Sequence, residues 1–79
     1  MDLNAEIKKM IAKELSVDET DVVLDAHLQE DLGGDSLAVL NLAVAIGKRY
    51  SIEIVYDDMV EIENVQELIQ MVESRIASI

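Results

Sequence analysis

The chain has 79 residues, enough for one small domain with a single hydrophobic core, and we expect residues 1–79 to form that domain. Its 17 acidic and 6 basic residues give a formal net charge of −11, which argues against nucleic acid as a partner and favours a basic protein surface. It has no cysteine and one histidine, His27, which excludes disulfides, thiolate metal sites and most catalytic constellations.

The composition is that of a helical protein. There is no proline, only three glycines are present, and 51 % of the residues are hydrophobic, so we predict an all-α fold. The longest apolar run, residues 42–47, is far too short to span a bilayer. The first residues lack the pattern of a signal peptide. We therefore expect a cytoplasmic protein, monomeric and without membrane insertion.

The first predicted helix covers residues 3–15, with Asp2 as its N-cap and one apolar stripe facing the core. Residues 16–35 form a long connection, which is uncommon in a compact domain unless it is held down. Its valines and leucines are expected to pin it across the bundle, with one helical turn near residues 27–31. We interpret His27 in this connection as a solvated surface residue.

The second predicted helix begins at Ser36 or Leu37 and ends at Tyr50. Gly47 inside it costs about 1 kcal/mol relative to Ala, so we expect its C-terminal end to fray. A short third helix is predicted over residues 57–61. The fourth follows the capping-box spacing at Asn64 and continues to about residue 77. The prediction is thus a four-helix bundle with three long helices, a short third helix, and a long loop between the first two.

The second helix has two apolar faces, although a surface helix normally has one. There is no acidic residue between Asp35 and Glu53 in a chain that is otherwise rich in them. One face can pack on the core and the other is then an exposed contact surface, unless the helix is buried on both sides. The core face would comprise Val39, Leu42, Ala43, Ile46 and Tyr50, and the exposed face Leu37, Leu40 and Val44.

Residues 30–37, Glu-Asp-Leu-Gly-Gly-Asp-Ser-Leu, resemble the attachment motif of acyl carrier proteins, in which an Asp-Ser-Leu triplet carries the prosthetic group on its serine. The motif stands at the start of the second helix of an acidic domain of the family's usual length. Tyr50, Ile54 and residues 65–69 also fall where the family pattern would put them, so the resemblance covers essentially the whole chain. It implies a four-helix bundle of acyl-carrier type and a non-catalytic function: acyl intermediates are held as thioesters on a 4′-phosphopantetheine arm.

The resemblance also implies roles for particular residues. Ser36 would receive phosphopantetheine from coenzyme A through a phosphopantetheinyl transferase, and Asp35 would help to position the metal ion that this transferase uses. A hydroxyl at a helix N-terminus lies close to free N–H groups that favour a phosphate. Gly33 and Gly34 are expected to keep side chains away from the transferase. Acyl-loading, elongating or transferring enzymes would be the other partners. They would contact Leu37, Leu40, Asn41, Val44 and Lys48, with Asp31, Asp57 and Asp58 at the rim.

One departure from the family lies on the second helix. The general fatty-acid carriers have acidic residues along it, whereas this chain has Ala38, Asn41, Gly47, Lys48 and Arg49. This difference favours a specialised carrier in a fatty acid, polyketide or related pathway over an ordinary fatty-acid carrier with an altered second helix.

Two alternatives of other kinds stay open. One is a helical adaptor whose apolar second helix binds a partner protein and whose Ser36 is only a helix cap. A calcium-binding protein is weaker, because Asp18, Asp21, Asp25 and Asp31 match no spaced ligand loop.

Overall fold

The computed structural model describes residues 2–78 and confirms the all-α prediction. It consists of α1 (Leu3–Leu15), a 3₁₀ helix (Glu19–Asp21), α2 (Ser36–Tyr50), α3 (Tyr56–Val60) and α4 (Val65–Ala77). The short third helix begins and ends one residue earlier than predicted, because the Asp58 carboxylate accepts the N–H of Val55 at 3.0 Å and starts the helix at Tyr56. Residues 2–78 contain no helix that is long and apolar enough to cross a membrane.

The core is built from one face of each long helix. α1 contributes Ile7 and Ile11, which are fully buried, and Asp2 caps this helix through a bond from the N–H of Asn4 at 3.1 Å. The connection between α1 and α2 is pinned to the core as predicted, although Val23 and Leu24 take no part in this and are exposed. Its buried residues are Val22, Ala26, Leu28 and Leu32, and those of α2 and α4 are Val39, Leu42, Ala43, Ile46, Val65, Leu68, Ile69 and Val72.

The connection contains the predicted helical turn and, in addition, a 3₁₀ helix that was not predicted. Its regular helix is the 3₁₀ segment, where the carboxylate of Asp18 accepts the N–H of Thr20 at 2.9 Å. Over residues 27–31 the chain makes the predicted helical turn, in which the N–H of Asp31 donates to the carbonyl of His27, four residues earlier, at 3.0 Å. This turn is not continued into a helix and leads directly to the start of α2.

The prediction that His27 is a solvated surface residue is wrong. The residue is half-buried, and its Nδ1 accepts the N–H groups of Gln29 at 3.2 Å and Glu30 at 3.1 Å. The backbone N–H of His27 donates to the carboxylate of Asp31 at 2.7 Å. The imidazole therefore acts as the cap of the turn, in the way that an Asn or Asp side chain acts in other turns.

The two glycines before α2 have different structural reasons. Gly33 has a φ of +68°, a left-handed conformation that costs other residues about 1–2 kcal/mol. Gly34 is buried, and a Cβ there would lie 2.9 Å from Cδ2 of Leu15 and 3.0 Å from the carbonyl oxygen of Leu28. The interpretation that both glycines clear space for a transferase is therefore wrong for Gly34, which allows the chain to pass close to the core.

The C-terminal end of α2 does not show the expected fraying. The helix is continuous to Tyr50, and Ser51 ends it in a left-handed conformation with a φ of 55°. The N–H of Ile52 then returns to the carbonyl of Gly47 at 3.1 Å, and a Cβ on Gly47 would lie 3.0 Å from the Ile52 carbonyl oxygen. The glycine permits this close return of the chain.

Alkaline pH is expected to weaken a bond at this end of α2. The Tyr50 hydroxyl donates to Glu6 at 2.8 Å, and Arg49 pairs with the same carboxylate at 3.1 Å. Burial, and then the Glu6 carboxylate, raise the pKa of Tyr50 to about 12 from 10.0. Since the folded pKa lies above the unfolded one, this stabilisation is complete below pH 10 and is lost as the pH rises towards 12.

The measurement is urea unfolding of the wild type and Tyr50→Phe across this pH range. Below pH 10 the variant should be less stable by about 1 kcal/mol, because it lacks one hydrogen bond. Above pH 10 the difference should shrink as the wild-type phenol ionises in the unfolded chain. A difference that stays constant to pH 12 would contradict the assignment of the bond.

Candidate functional site

The start of α2 is fixed by Asp35, whose Oδ1 accepts the N–H of Ala38 at 2.8 Å. Its carbonyl accepts the N–H of Val39 at 2.9 Å, the first backbone bond of the helix. Asp35 is therefore the N-cap, and Ser36 is the first helical residue. The alternative in which Ser36 is only a helix cap is wrong, because the preceding aspartate already does this.

The Ser36 hydroxyl is exposed and stands at the positive end of α2. An α-helix offers no acceptor for its first N–H groups, so those of Ser36 and Leu37 point towards the same space. The Tyr56 hydroxyl, from the first turn of α3, donates to Ser36 Oγ at 3.4 Å. A phosphodiester on Ser36 Oγ fits this environment, because N–H and O–H donors surround the position of its charge.

The predicted acidic residues at the rim differ in what they contact. Asp57 is exposed in the first turn of α3, whereas Asp31 holds the turn before α2 through the N–H of His27. Asp58 is half-buried and makes two bonds to the Arg75 guanidinium, at 3.0 and 3.2 Å. The Arg75 bonds, and then the N–H of Val55, hold the pKa of Asp58 below its usual value. Asp31 and Asp58 thus have structural roles as well as the predicted surface position.

The second apolar stripe of α2 is exposed, as predicted. Leu37, Leu40 and Val44 keep 66 %, 41 % and 49 % of their surface, whereas the first stripe faces the core. The alternative that α2 is buried on both sides is therefore wrong. Asn41 and Lys48 are also exposed on this helix.

The apolar residues of α3 were not among the predicted surface residues. Met59 is buried there, while Tyr56 and Val60 are exposed and α3 packs beside α2. A helix of five residues can direct only one or two side chains into a core. The sequence of α3, with three apolar residues, therefore already indicated that some of them would be exposed. The exposed apolar residues of α2 and α3 are therefore Leu37, Leu40, Val44, Tyr56 and Val60.

The aspartates of the first connection do not form a metal site in the structure. Among residues 2–78, no three or more His, Asp or Glu side chains come together in an arrangement that could hold a metal ion. The calcium-binding alternative therefore finds no support in this part of the chain.

Comparison with known proteins agrees with the motif. The family described as "Phosphopantetheine attachment site" matches residues 5–72, which include most of α1, all of α2 and α3, and most of α4. The chain is 32 % identical over 75 residues to "Acyl carrier protein 2" of Pseudomonas aeruginosa, covering 95 % of both chains. It is also 32 % identical to "Acyl carrier protein" of Campylobacter lari, covering 87 % of this chain and 90 % of that one. The identity to "Acyl carrier protein" of Guillardia theta is 33 %, covering 91 % and 89 %.

The matching residues span nearly the whole described structure, and the helices expected for such a carrier are present in the expected order. The description of the family also names the prosthetic group, phosphopantetheine, and the start of α2 offers a suitable environment for it. This chain belongs to the acyl carrier protein family and carries a covalently attached phosphopantetheine group.

Proposed function

We propose that Ser36 Oγ is the attachment atom and that the chain acts as a carrier of acyl intermediates without catalytic activity of its own. The observation that carries this proposal is the position of the Ser36 hydroxyl. It is exposed on the first residue of α2, and the helix is capped by the side chain of Asp35 and not by that of Ser36. It also lies within the residues that match the phosphopantetheine attachment family.

The residues at the start of α2 have separate tasks in this proposal. Ser36 Oγ gives its proton to a base of the transferase and forms a bond to the phosphorus that carries the pantetheine of coenzyme A, while the P–O bond of the pyrophosphate breaks and adenosine 3′,5′-bisphosphate leaves. The first N–H groups of α2 stabilise the charge of the resulting phosphodiester. Asp35 uses Oδ1 for the N–H of Ala38, which leaves Oδ2 for the metal ion of the transferase. When bound, the prosthetic group supplies the thiol on which acyl groups are held as thioesters.

The test is intact mass after incubation with coenzyme A, magnesium and a broad-specificity phosphopantetheinyl transferase. We expect the mass to increase by one phosphopantetheine group, and peptide mapping to place that group on Ser36. A second carrier protein, loaded in parallel, shows that the transferase is active. An unchanged mass, or a group on another serine, would contradict the proposal.

We also propose that the carrier works in a specialised fatty acid, polyketide or related pathway. The exposed side of α2 supports this, because it presents Leu37, Leu40 and Val44 in place of a row of carboxylates. The transferase and the acyl-loading, elongating or transferring enzymes would meet these residues together with Asn41 and Lys48. The acidic rim residues are Asp31, Asp57 and Asp58. The monomeric state and the cytoplasmic location stay predictions.

Adding acidic residues to α2 is expected to improve the use of this carrier by a general fatty acid synthase. The variant Asn41→Glu/Lys48→Glu places two carboxylates on exposed positions of α2. It should raise the rate of malonyl loading by about tenfold at low salt, because opposite charges steer association with a basic enzyme surface.

The matched control is Lys9→Glu/Gln70→Glu, which makes the same change in net charge at exposed positions of α1 and α4. Its loading rate should stay close to that of the wild type. If the wild-type carrier is already used efficiently, the specialised assignment fails and the ordinary fatty-acid carrier takes its place.

A further inference from the structure

Ser36 is hydrogen-bonded to α3, and this bond leads to an inference that rests on the proposed function. Tyr56 is the first residue of α3, and its hydroxyl donates to Ser36 Oγ at 3.4 Å. An O–H···O hydrogen bond usually measures about 2.7–2.8 Å, so the present contact is weak. Its significance is proximity, because the phenol lies within reach of any group attached to Ser36 Oγ.

A phosphodiester at this atom has few charged residues to stabilise it. The acidic side chains of Asp35 and Asp57 offer no donor at this end of α2. Lys48 and Arg49 are in the last turn of α2, about 18 Å away along the helix axis at about 1.5 Å per residue. Among residues 2–78, the side-chain hydrogen bond to Ser36 Oγ comes from the Tyr56 hydroxyl, which adds a donor to the first N–H groups of α2.

We propose that Tyr56 is a positioning residue for the prosthetic group, and that its hydroxyl donates a hydrogen bond to an oxygen of the phosphodiester on Ser36. A bond to an ionised acceptor is shorter and stronger than one between two neutral hydroxyls. Loading therefore strengthens the link between α2 and α3. It also holds the base of the phosphopantetheine arm against α3, beside the exposed apolar residue Val60.

The test compares wild type with Tyr56→Phe, which removes the hydroxyl and keeps the ring. Both proteins are loaded by a phosphopantetheinyl transferase, and intact mass confirms complete loading. Thermal unfolding then gives the change in Tm on loading, and ³¹P NMR reports on the phosphodiester itself. We expect the change in Tm on loading to be lower in Tyr56→Phe by about 4 °C or more. We also expect the ³¹P resonance to shift between the two loaded proteins.

Tyr50→Phe is the matched control, because it removes a phenol hydroxyl at the other end of α2, about 21 Å from Ser36 along the axis. It should lower Tm equally in the loaded and unloaded forms and leave the ³¹P resonance unchanged. If loading is complete and Tyr56→Phe matches the wild type in both readouts, the inference is overturned while the proposed function stands. If no protein is loaded by an active transferase, both are overturned.

Discussion

Ser36→Ala is expected to abolish loading completely, with no gain in mass after incubation with coenzyme A and an active transferase. The hydroxyl is the only group that this substitution removes, and no other atom at the N-terminus of α2 can form the phosphate ester. The free energy of unfolding should change by no more than about 0.5 kcal/mol, because Ser36 is exposed and Asp35 provides the cap. Loss of loading without loss of stability would show that Ser36 is needed for attachment of the prosthetic group and not for folding.

Ser74→Ala is the control for the loading experiment. Ser74 is an exposed serine on α4. The hydroxyl and the N–H of Ser78 donate to the backbone carbonyl of Ser74 and not to its side chain. Its replacement by Ala should leave loading complete. A Ser36→Ala protein that still gains one phosphopantetheine group would show that another residue is the attachment point. A Ser36→Ala protein that unfolds readily would contradict the capping role of Asp35.

The helices and the start of the site follow from local patterns in the sequence. Asp2 and Asn64 were identified as caps because capping requires only a short polar side chain at the right spacing, and both make the expected bonds to backbone N–H groups. The exposed second stripe of α2 was predictable in the same way. A helix packed against so few neighbours cannot bury two faces.

Residues whose role depends on distant parts of the chain were predicted less well. The position of Gly34 depends on Leu15, which lies 19 residues earlier, and the contact between Tyr56 and Ser36 joins two helices. The sequence predicts a surface position for His27, because nothing in the pattern of neighbouring residues indicates that the following backbone folds back onto the imidazole ring. Such contacts arise from tertiary packing, and neither residue spacing nor helix propensity contains them.

Gly34→Asn is expected to destabilise the domain strongly, whereas the same substitution at Gly33 is expected to be mild. At Gly34 a Cβ would meet the Leu15 side chain at 2.9 Å and the Leu28 carbonyl oxygen at 3.0 Å. That carbonyl cannot move away easily, because it accepts the N–H of Gly34 at 2.9 Å. Overpacking of this kind costs about 1–3 kcal/mol, a large part of the few kcal/mol available to so small a domain.

Gly33→Asn is the matched control for this prediction. The backbone there is left-handed, which Asn tolerates better than most residues, and a Cβ meets nothing within 4 Å. Urea unfolding should therefore place Gly34→Asn well below Gly33→Asn in stability. Loading of Ser36 should fall with Gly34→Asn, because the displaced chain continues directly into Asp35 and the first turn of α2. Equal stability of the two variants would show that the close approach of Gly34 to Leu15 and Leu28 does not limit what this position accepts.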